Sequence, residues 1–569
     1  MVAEPFTGDL FSYRSPPRRD LHRPPRLLKH ALAGRRRLVS LTELFAQAAK
    51  LRAVAGELPT QTSAILRLLL AILHRAVDGP EDEGAWHRLW QRSDLPTADI
   101  AGYLGEYRDR FDLLHPIMPF YQVAGLHTQK NEVFGLERLI ADVPNNAPYL
   151  TTRLGPGLAR LTPAEAAVWL VHCQAYDTSG IKSGAVGDNR VSGGRGYPIG
   201  PASCGSLGLV YLEGRTLRET LLLNLVTLNS SYLRQDPEHD SPVWERDPHG
   251  PAEENERDRG PYGVLNLYTW QSRRIRLFGD QTGITGVVVA NGDRIAWPNL
   301  HGQEPMSGWR RSANQEKKLG RSPVYLPALH DHTRALWRGL TSLLPAPAER
   351  PGADAPSRRP PAVSQWLARL RTKELIDDRY RVTARAVGVL YGSNLSVVDE
   401  VYQDALTMPV QAFDPAGPLA VTIMDSAADA DTAITALRRL AADLCRAGGG
   451  YGDRAEDPPA AAANRAAELG YAELDILFRR WLSGLGPADD PAQARARWQT
   501  WAKWCVGRLG RDLVARSGPQ AWAGRYIDQE KKKHVSSPLA ARLFDVALRR
   551  ALPLAAGPVT SPISQEVPA

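Results

Sequence analysis

The stretch from about residue 425 onward constrains this chain most. Alanine, leucine and arginine dominate it, and glycine and proline gather only around 448–460 and 484–491. Strong helix formers interrupted at two places favour helices over strands. The pattern predicts four helices, at about 426–447, 459–484, 491–516 and 536–552. Helices of this length with short connections bury their apolar stripes against one another, so residues 411–555 are read as a four-helix bundle. The end, 556–569, is read as a disordered tail.

Upstream, helical and extended patterns mix. Val39 to Gln47 predicts a short helix with Ser40 as its cap. Thr60 to Ala76 predicts a helix with apolar residues on several faces. Its most hydrophobic run, Ile65 to Leu73, is broken by Arg67 and is too short to span a bilayer. Thr162, Pro163 and Glu165 form a helix start with a capping box, and Thr216 with Glu219 repeats the box before LLLNLVTL. Leu207 to Leu212 reads as a strand, and residues 265–279 alternate like strands. Residues 286–297 read as a hairpin with Asn291-Gly292 as its turn. Gly180 to Ser206 is a glycine-rich loop, 235–260 an exposed polar insertion, and 341–364 a Pro/Ala-rich linker before a helix over Gln365 to Leu390. The fold class that follows is an α+β N-terminal domain, 38–410, with a C-terminal α-helical four-helix bundle.

The net charge of +8 is unevenly placed. Residues 1–37 carry nine Lys/Arg against three acids, an atypical basic arm. Such an arm either binds phosphates by counterion release or is a poorly specified leader. A second basic stretch, Arg273 to Arg321, holds nine Lys/Arg and four acids. Charge of this kind suits nucleic acid, although most charge runs are solvated faces. The four cysteines, at 173, 204, 445 and 505, form no CxxC pair and fit a reducing cytoplasm.

Catalytic patterns are poorly represented. GIKSG at 180–184 is similar to a phosphate-binding loop, but Ile181 stands where glycine should precede Lys182. His330-Asp331-His332 suggests a metal pair, yet no further ligands stand at suitable spacing, and Asp331 with Thr333 reads better as a helix start. Asp377-Asp378 and Asp489-Asp490 look solvated. The residues point to a protein that is not an enzyme and uses no metal or cofactor.

Three blocks in this order, RFDLLHPIMPFYQVAGL (110–126), the glycine loop before GLVYLEGRTLRETLLLNLVTLN (208–229), and LYTWQSRRIRL (267–277), resemble CasA-type large subunits of the type I-E CRISPR Cascade surveillance complex. The resemblance covers roughly residues 38–550. It implies a non-catalytic subunit that recognises the protospacer-adjacent motif (PAM) in double-stranded DNA, promotes R-loop formation and recruits a trans-acting helicase-nuclease. The implied partners are other Cascade subunits, the CRISPR RNA and the target duplex, with no membrane. Residues 38–410 then become the PAM-recognition domain.

The resemblance also implies sites. Gly193, Gly194, Arg195 and Gly196, within Gly193–Tyr197, correspond to a loop that approaches the minor groove. Asn291 and Arg294 stand where some relatives carry a minor-groove lysine. Gly392, Ser393, Asn394, Leu395 and Ser396 correspond to a strand-separating wedge, with an ordinary exposed turn as the alternative. Asn145, Thr151, Thr152 and Arg153 correspond to a guide/backbone loop. Trp270, Arg273 and Arg274 either clamp nucleic acid or pack a sheet face. The zinc-binding cysteines of some members are absent, and the first 37 residues do not resemble the usual opening. The rival readings are a purely structural scaffold subunit and, more remotely, a metal-dependent nuclease.

Overall fold

The computed structural model describes residues 11–14, 36–141, 143, 156–227, 230–234, 236–254, 260–345, 355–452, 454–528 and 533–556. The disordered tail expected at 556–569 lies outside them except for its first residue, and so does most of the basic arm. Within that arm, strand β1 (Phe11–Arg14) pairs antiparallel with β2 (Arg36–Val39) and β3 (Ala53–Val54). Helix α1 (Leu41–Ala46) follows, and the Ser40 hydroxyl accepts the Glu43 N–H at 3.2 Å.

Helix α2 (Pro59–Ala76) is the centre of the N-terminal part. Residues from Thr60 to His74 are buried nearly all round, as its apolar faces predict. Arg67 would be intolerable there alone. Its guanidinium makes a two-pronged pair with Glu304, at 2.9 and 2.8 Å, and lies 4.5 Å from the Tyr268 ring centroid. Helix α3 (Pro163–Tyr176) carries the expected capping box, with Glu165 N–H to Thr162 at 3.2 Å and Thr162 N–H back to Glu165 at 2.9 Å. Helix α4 (Leu217–Leu223) stops sooner than its apolar run suggests. The reason is Asn224, whose amide bonds both backbone groups of Leu212 at 2.9 and 2.7 Å.

Two sheets position the loops of interest. One has the order β5–β4–β8–β7, from β4 (Lys182–Ser183), β5 (Arg195–Gly196), β7 (Arg273–Asp280) and β8 (Gly283–Asn291). The other places β12 (Arg381–Tyr391) between β6 (Leu209–Glu213) and β13 (Val398–Pro409). A smaller sheet sets β9 (Trp309–Arg311) between β10 (Tyr325–Pro327) and β11 (Arg358–Arg359), so part of the expected linker is a strand.

Three expectations change here. The β7–β8 hairpin turns at Asp280–Gly283 and not at Asn291-Gly292. Asp280 accepts the Thr282 N–H at 2.8 Å, which fixes a turn between two glycines. Within 265–279, Val264–Tyr268 is a helical turn, because the Asp240 carboxylate accepts the Leu265 and Asn266 N–H groups. The helix expected over Gln365 to Leu390 ends as α5 (Ala362–Thr372), and β12 follows. Val382, Ala384 and Ala386 are buried while Arg381, Thr383 and Arg385 are more exposed, which is the two-residue period of a strand.

The C-terminal part contains α6 (Pro418–Ala447), α7 (Pro458–Gly484), α8 (Pro491–Ala515) and α9 (Ser537–Ala551). Helix α6 packs on the other three, α7 on α8, and α8 on α9. A small ribbon, β14 (Arg525–Asp528) with β15 (Lys533–Val535), precedes α9. Close approach is made by glycine: a Cβ at Gly470 would strike Ile434, and one at Gly510 would strike Phe544. The core continues into the N-terminal part, where Trp337 stacks on Phe478 at 4.5 Å and Arg479 reaches Asp404 at 2.9 Å. No helix among the described residues is long and apolar enough to cross a membrane.

Candidate nucleic-acid interface

The glycine loop is a two-residue hairpin. Ser192 and Arg195 exchange both backbone hydrogen bonds at 3.1 Å, and Gly193 and Gly194 between them have φ of +57° and +72°. Both dihedrals positive is the type I′ turn, which glycine enters at no steric cost. Among the described residues nothing lies within 4 Å of a Cβ built on either glycine, so the tip faces open space. Arg195 is exposed beside it and Tyr197 is 54% exposed. Gly196 differs: it is buried, and its Cβ would stand 2.9 Å from the Asn291 amide nitrogen.

Asn291 braces this hairpin from below. It is 3% exposed, and its side-chain N–H donates to the Tyr197 carbonyl at 2.6 Å. Arg190 ties the two segments further, donating to the Gly292 carbonyl at 2.9 Å and the Asn291 carbonyl at 3.2 Å while pairing with Asp188 and Glu253. Burial works against the Asp188 carboxylate, but the hydrogen bonds from Arg190 prevail and hold it below the usual range. Arg294 is exposed next to this brace and meets Glu253 at 3.5 Å.

The segment Gly392–Ser396 is the tip of the β12–β13 hairpin, so it lies between two strands and not after a helix. Asn394 (φ +55°) and Leu395 (φ +57°) are both left-handed. Such residues cost of the order of 1–3 kcal/mol each and gather at working sites. Gly392 and Val397 close the loop with an N–H to carbonyl bond of 3.0 Å, and Leu395 projects with 44% of its surface exposed. A cleft of about 440 Å³ opens beside Ser396, walled by Arg138, Ile140, Asp177, Lys182 and Val398. The guide/backbone loop, with Asn145, Thr151, Thr152 and Arg153, lies outside the described residues.

The clamp reading for Trp270, Arg273 and Arg274 yields to packing. They are 5%, 1% and 0% exposed. Arg273 is paired with Asp177 at 2.5 Å, Arg274 with Asp293 at 2.9 Å, and the Trp270 indole N–H donates to the Asp293 carbonyl at 3.0 Å. Asp331 accepts the Thr333 N–H at 3.1 Å, as a turn cap does, while His330 meets the Leu209 carbonyl at 3.4 Å. The GIKSG segment is no phosphate cradle either, since Lys182 sits on Asp177 at 2.7 Å.

Among the described residues, His249, Glu254 and Asp293 bring ligand atoms within 4.8 Å of one another. Arginines already hold those carboxylates: Arg246 on Glu254 and Arg274 on Asp293, each at 2.9 Å. Burial would raise Glu254, yet His249 and Arg246 bring it down to about 2. A cation would have to displace two guanidinium groups. Sequence reasoning missed Asp188, Arg190 and Glu253, the charges that join the glycine hairpin to Asn291. They lie in polar loops with no periodic signal.

With this geometry in hand, the comparisons are specific. The family description "CRISPR-associated protein Cse1" matches residues 28–509. The crystal structure of Thermobifida fusca Cse1 is similar at 45% identity and a TM-score of 0.83, over 92% of this chain and 96% of that one. Cse1 from Acidimicrobium ferrooxidans follows at 28% identity and 0.75, over 97% and 96%. CasA/Cse1 of Thermus thermophilus is 29% identical over 317 residues, which span 54% of this chain and 56% of that protein's length. By the extent of these matches the chain belongs to the CRISPR-associated Cse1 (CasA) family.

Proposed function

We propose that the chain is the non-catalytic large subunit of a type I-E CRISPR RNA-guided surveillance complex, recognising the PAM in double-stranded DNA and starting the R-loop. The observation that carries this reading is the Gly193–Gly194 tip, a side-chain-free backbone turn with open space around it and Arg195 alongside. Such a tip can enter a minor groove and present backbone N–H donors to its acceptors, whose pattern is degenerate, so several motifs are tolerated. Base pairing with the guide then reads the sequence. Arg195 and Arg294 face phosphate and groove, and Asn291 supports the tip from beneath. Leu395 is the apolar wedge that enters beneath the motif; unstacking costs roughly a few kcal/mol per base step, which motif binding offsets.

In this reading residues 38–410 recognise DNA. The four C-terminal helices, as a bundle over 411–555, meet other Cascade subunits and hold the R-loop, and the assembled surface recruits the helicase-nuclease. The loop at 145–153 meets the guide and backbone. The neighbour described as a CRISPR RNA-guided surveillance complex has the same fold, at 18% identity and a TM-score of 0.59.

The test is target binding by the reconstituted complex with wild-type subunit, without it, and with Gly194→Asp. The aspartate has room and takes the left-handed φ of +72° at a cost of about 1 kcal/mol, and it places an anion against the duplex. Affinity for motif-bearing duplex should fall by about tenfold or more, corresponding to one good base contact of 1–3 kcal/mol, while the melting temperature changes little. Equal target affinity with and without the subunit would leave only a scaffold role.

A further inference from the structure

The hairpin and the wedge turn belong to different sheets, yet one short segment holds both. It begins at the C-terminal end of α3. The Tyr176 carbonyl accepts the Tyr391 hydroxyl at 2.7 Å, and Tyr391 is the last residue of β12 before the wedge turn. Three residues on, the Ser179 N–H donates to the Leu395 carbonyl at 2.7 Å, at the apolar tip itself. So the segment 176–179 carries the turn on one side.

On its other side it carries the hairpin. Asp177 pairs with Lys182 at 2.7 Å and with Arg273 at 2.5 Å. Lys182 is the β4 residue directly opposite Gly196 of the glycine hairpin. Arg273 starts β7 and also donates to the Thr178 carbonyl at 2.7 Å and the Gly200 carbonyl at 3.0 Å, so it fixes both ends of the glycine loop. The three charged side chains are 13%, 11% and 1% exposed. Burial disfavours the charge on Asp177 and on Lys182 alike; the two cations hold the aspartate ionised, while Lys182 stays below its ordinary pKa. A buried ion triad of this sort resists displacement, because moving one member away leaves a charge unpaired in a poorly solvated place.

We propose that Asp177, clamped between Lys182 and Arg273, is a positioning residue that fixes the wedge turn relative to the glycine hairpin, so that motif contact at one becomes strand opening at the other. This rests on the proposed function above. Asp177 touches no DNA in this account. It sets where Leu395 stands when the Gly193–Gly194 tip is seated.

The experiment uses the assembled complex and a target duplex carrying 2-aminopurine at the first protospacer positions. The main variant is Lys182→Met, which removes one cation, keeps similar volume, and leaves Asp177 paired with Arg273. Asp177→Asn, nearly isosteric, is the second. In both, opening of a fully paired target should slow by about tenfold, within the range for networks that couple sites. Binding to a short duplex bearing only the motif should change by less than about twofold, below the effect of losing one base contact. A target already open beside the motif should react at the wild-type rate, and Lys182→Arg should restore opening of the paired target.

An unchanged opening rate in Lys182→Met, equal losses on paired and pre-opened targets, or a parallel loss of motif binding overturns the coupling. The Asn394→Ala/Leu395→Ala variant, run alongside, separates the two layers. If it distinguishes paired from pre-opened target and Lys182→Met does not, the coupling alone fails. If it does not distinguish them, the wedge reading fails and the coupling with it.

Discussion

Gly196 and Asn291 offer the most stringent test of the hairpin's construction. A Cβ at position 196 would lie 2.9 Å from the Asn291 amide nitrogen and 3.4 Å from the Ser183 carbonyl oxygen. The strand cannot back away without breaking its pairing with β4, so the Asn291 amide must swing aside and release the Tyr197 carbonyl, now held at 2.6 Å. Overpacking and the lost hydrogen bond together put Gly196→Ala at about 2–3 kcal/mol. Asn291→Ala alone loses the bond but not the packing; its Oδ1 is buried with no partner among the described residues, so the cost is about 1 kcal/mol. The double variant has room for the new methyl and should also cost about 1 kcal/mol, a non-additivity of about 2–3 kcal/mol. Urea denaturation of the four proteins measures these values, and target titration with assembled complexes should follow the same order. Costs that add to within about 0.5 kcal/mol would show that the two side chains do not compete for one space, and the brace would have to be abandoned.

Other consequences follow from buried charge and exposed charge. Arg67→Met leaves Glu304, which is fully buried, without its charged partner and with only the Met306 N–H to hold it, and should lower stability by about 3–5 kcal/mol by urea unfolding; Glu304→Gln in the same chain should recover part of it. His74 and His172 are held neutral by burial, at about 4 and about 3. Their folded pKa values lie below the unfolded value near 6.5, so the stability they contribute is complete above that pH and is lost as pH falls toward 4. Each should cost up to about 1.4 kcal/mol per pH unit in that window, and His74→Leu should remove about half of their combined fall in stability between pH 7 and pH 5 by urea unfolding. Arg294→Ala removes an exposed cation and should weaken target binding by about 1–3 kcal/mol or, if its contact is only phosphate, lower the salt slope by about 1. Unchanged affinity together with an unchanged salt slope would take Arg294 out of the interface.

Local rules made much of the fold legible. The Thr162–Glu165 capping box forms as written, and the four long C-terminal helices stand within a few residues of their expected places, except that α6 begins at Pro418. Failures came where a polar side chain overrode a pattern. Asn224 ends α4 by bonding a strand, Asp240 caps a helical turn in an alternating stretch, and Asp280 moves the hairpin turn by ten residues. The partners of Asn224 and Asp240 lie 12 and 26 residues away, out of reach of a local pattern, whereas the Asp280–Thr282 turn is local and was simply outweighed by the Asn-Gly signal. For the site, the glycine run marked a loop, but the two-residue turn with both glycines left-handed, and the short strands β4 and β5 beside it, carried no signal of their own. The role of Asn291 was not legible either, since its burial beneath Tyr197 is a tertiary fact.

Arginine placement shows why charge counts alone mislead here. The stretch from Arg273 to Arg321 displays nine cations in sequence. Arg273 and Arg274 are spent inside the fold on Asp177 and Asp293, and Arg311 pairs with Glu316 at 2.6 Å. Only a cation that keeps its charge near solvent can displace a counterion from DNA. The buried ones do something else: Arg273 locks β7 against the segments that carry the glycine hairpin and the wedge turn, and Arg274 ties it to the 250–252 loop. A surface that must meet DNA at a backbone turn needs that turn held rigidly, because glycine supplies access and no stiffness of its own. In the proposed function the interior arginines supply the stiffness, and the exposed cations beside the turn, Arg195 and Arg294, supply the attraction.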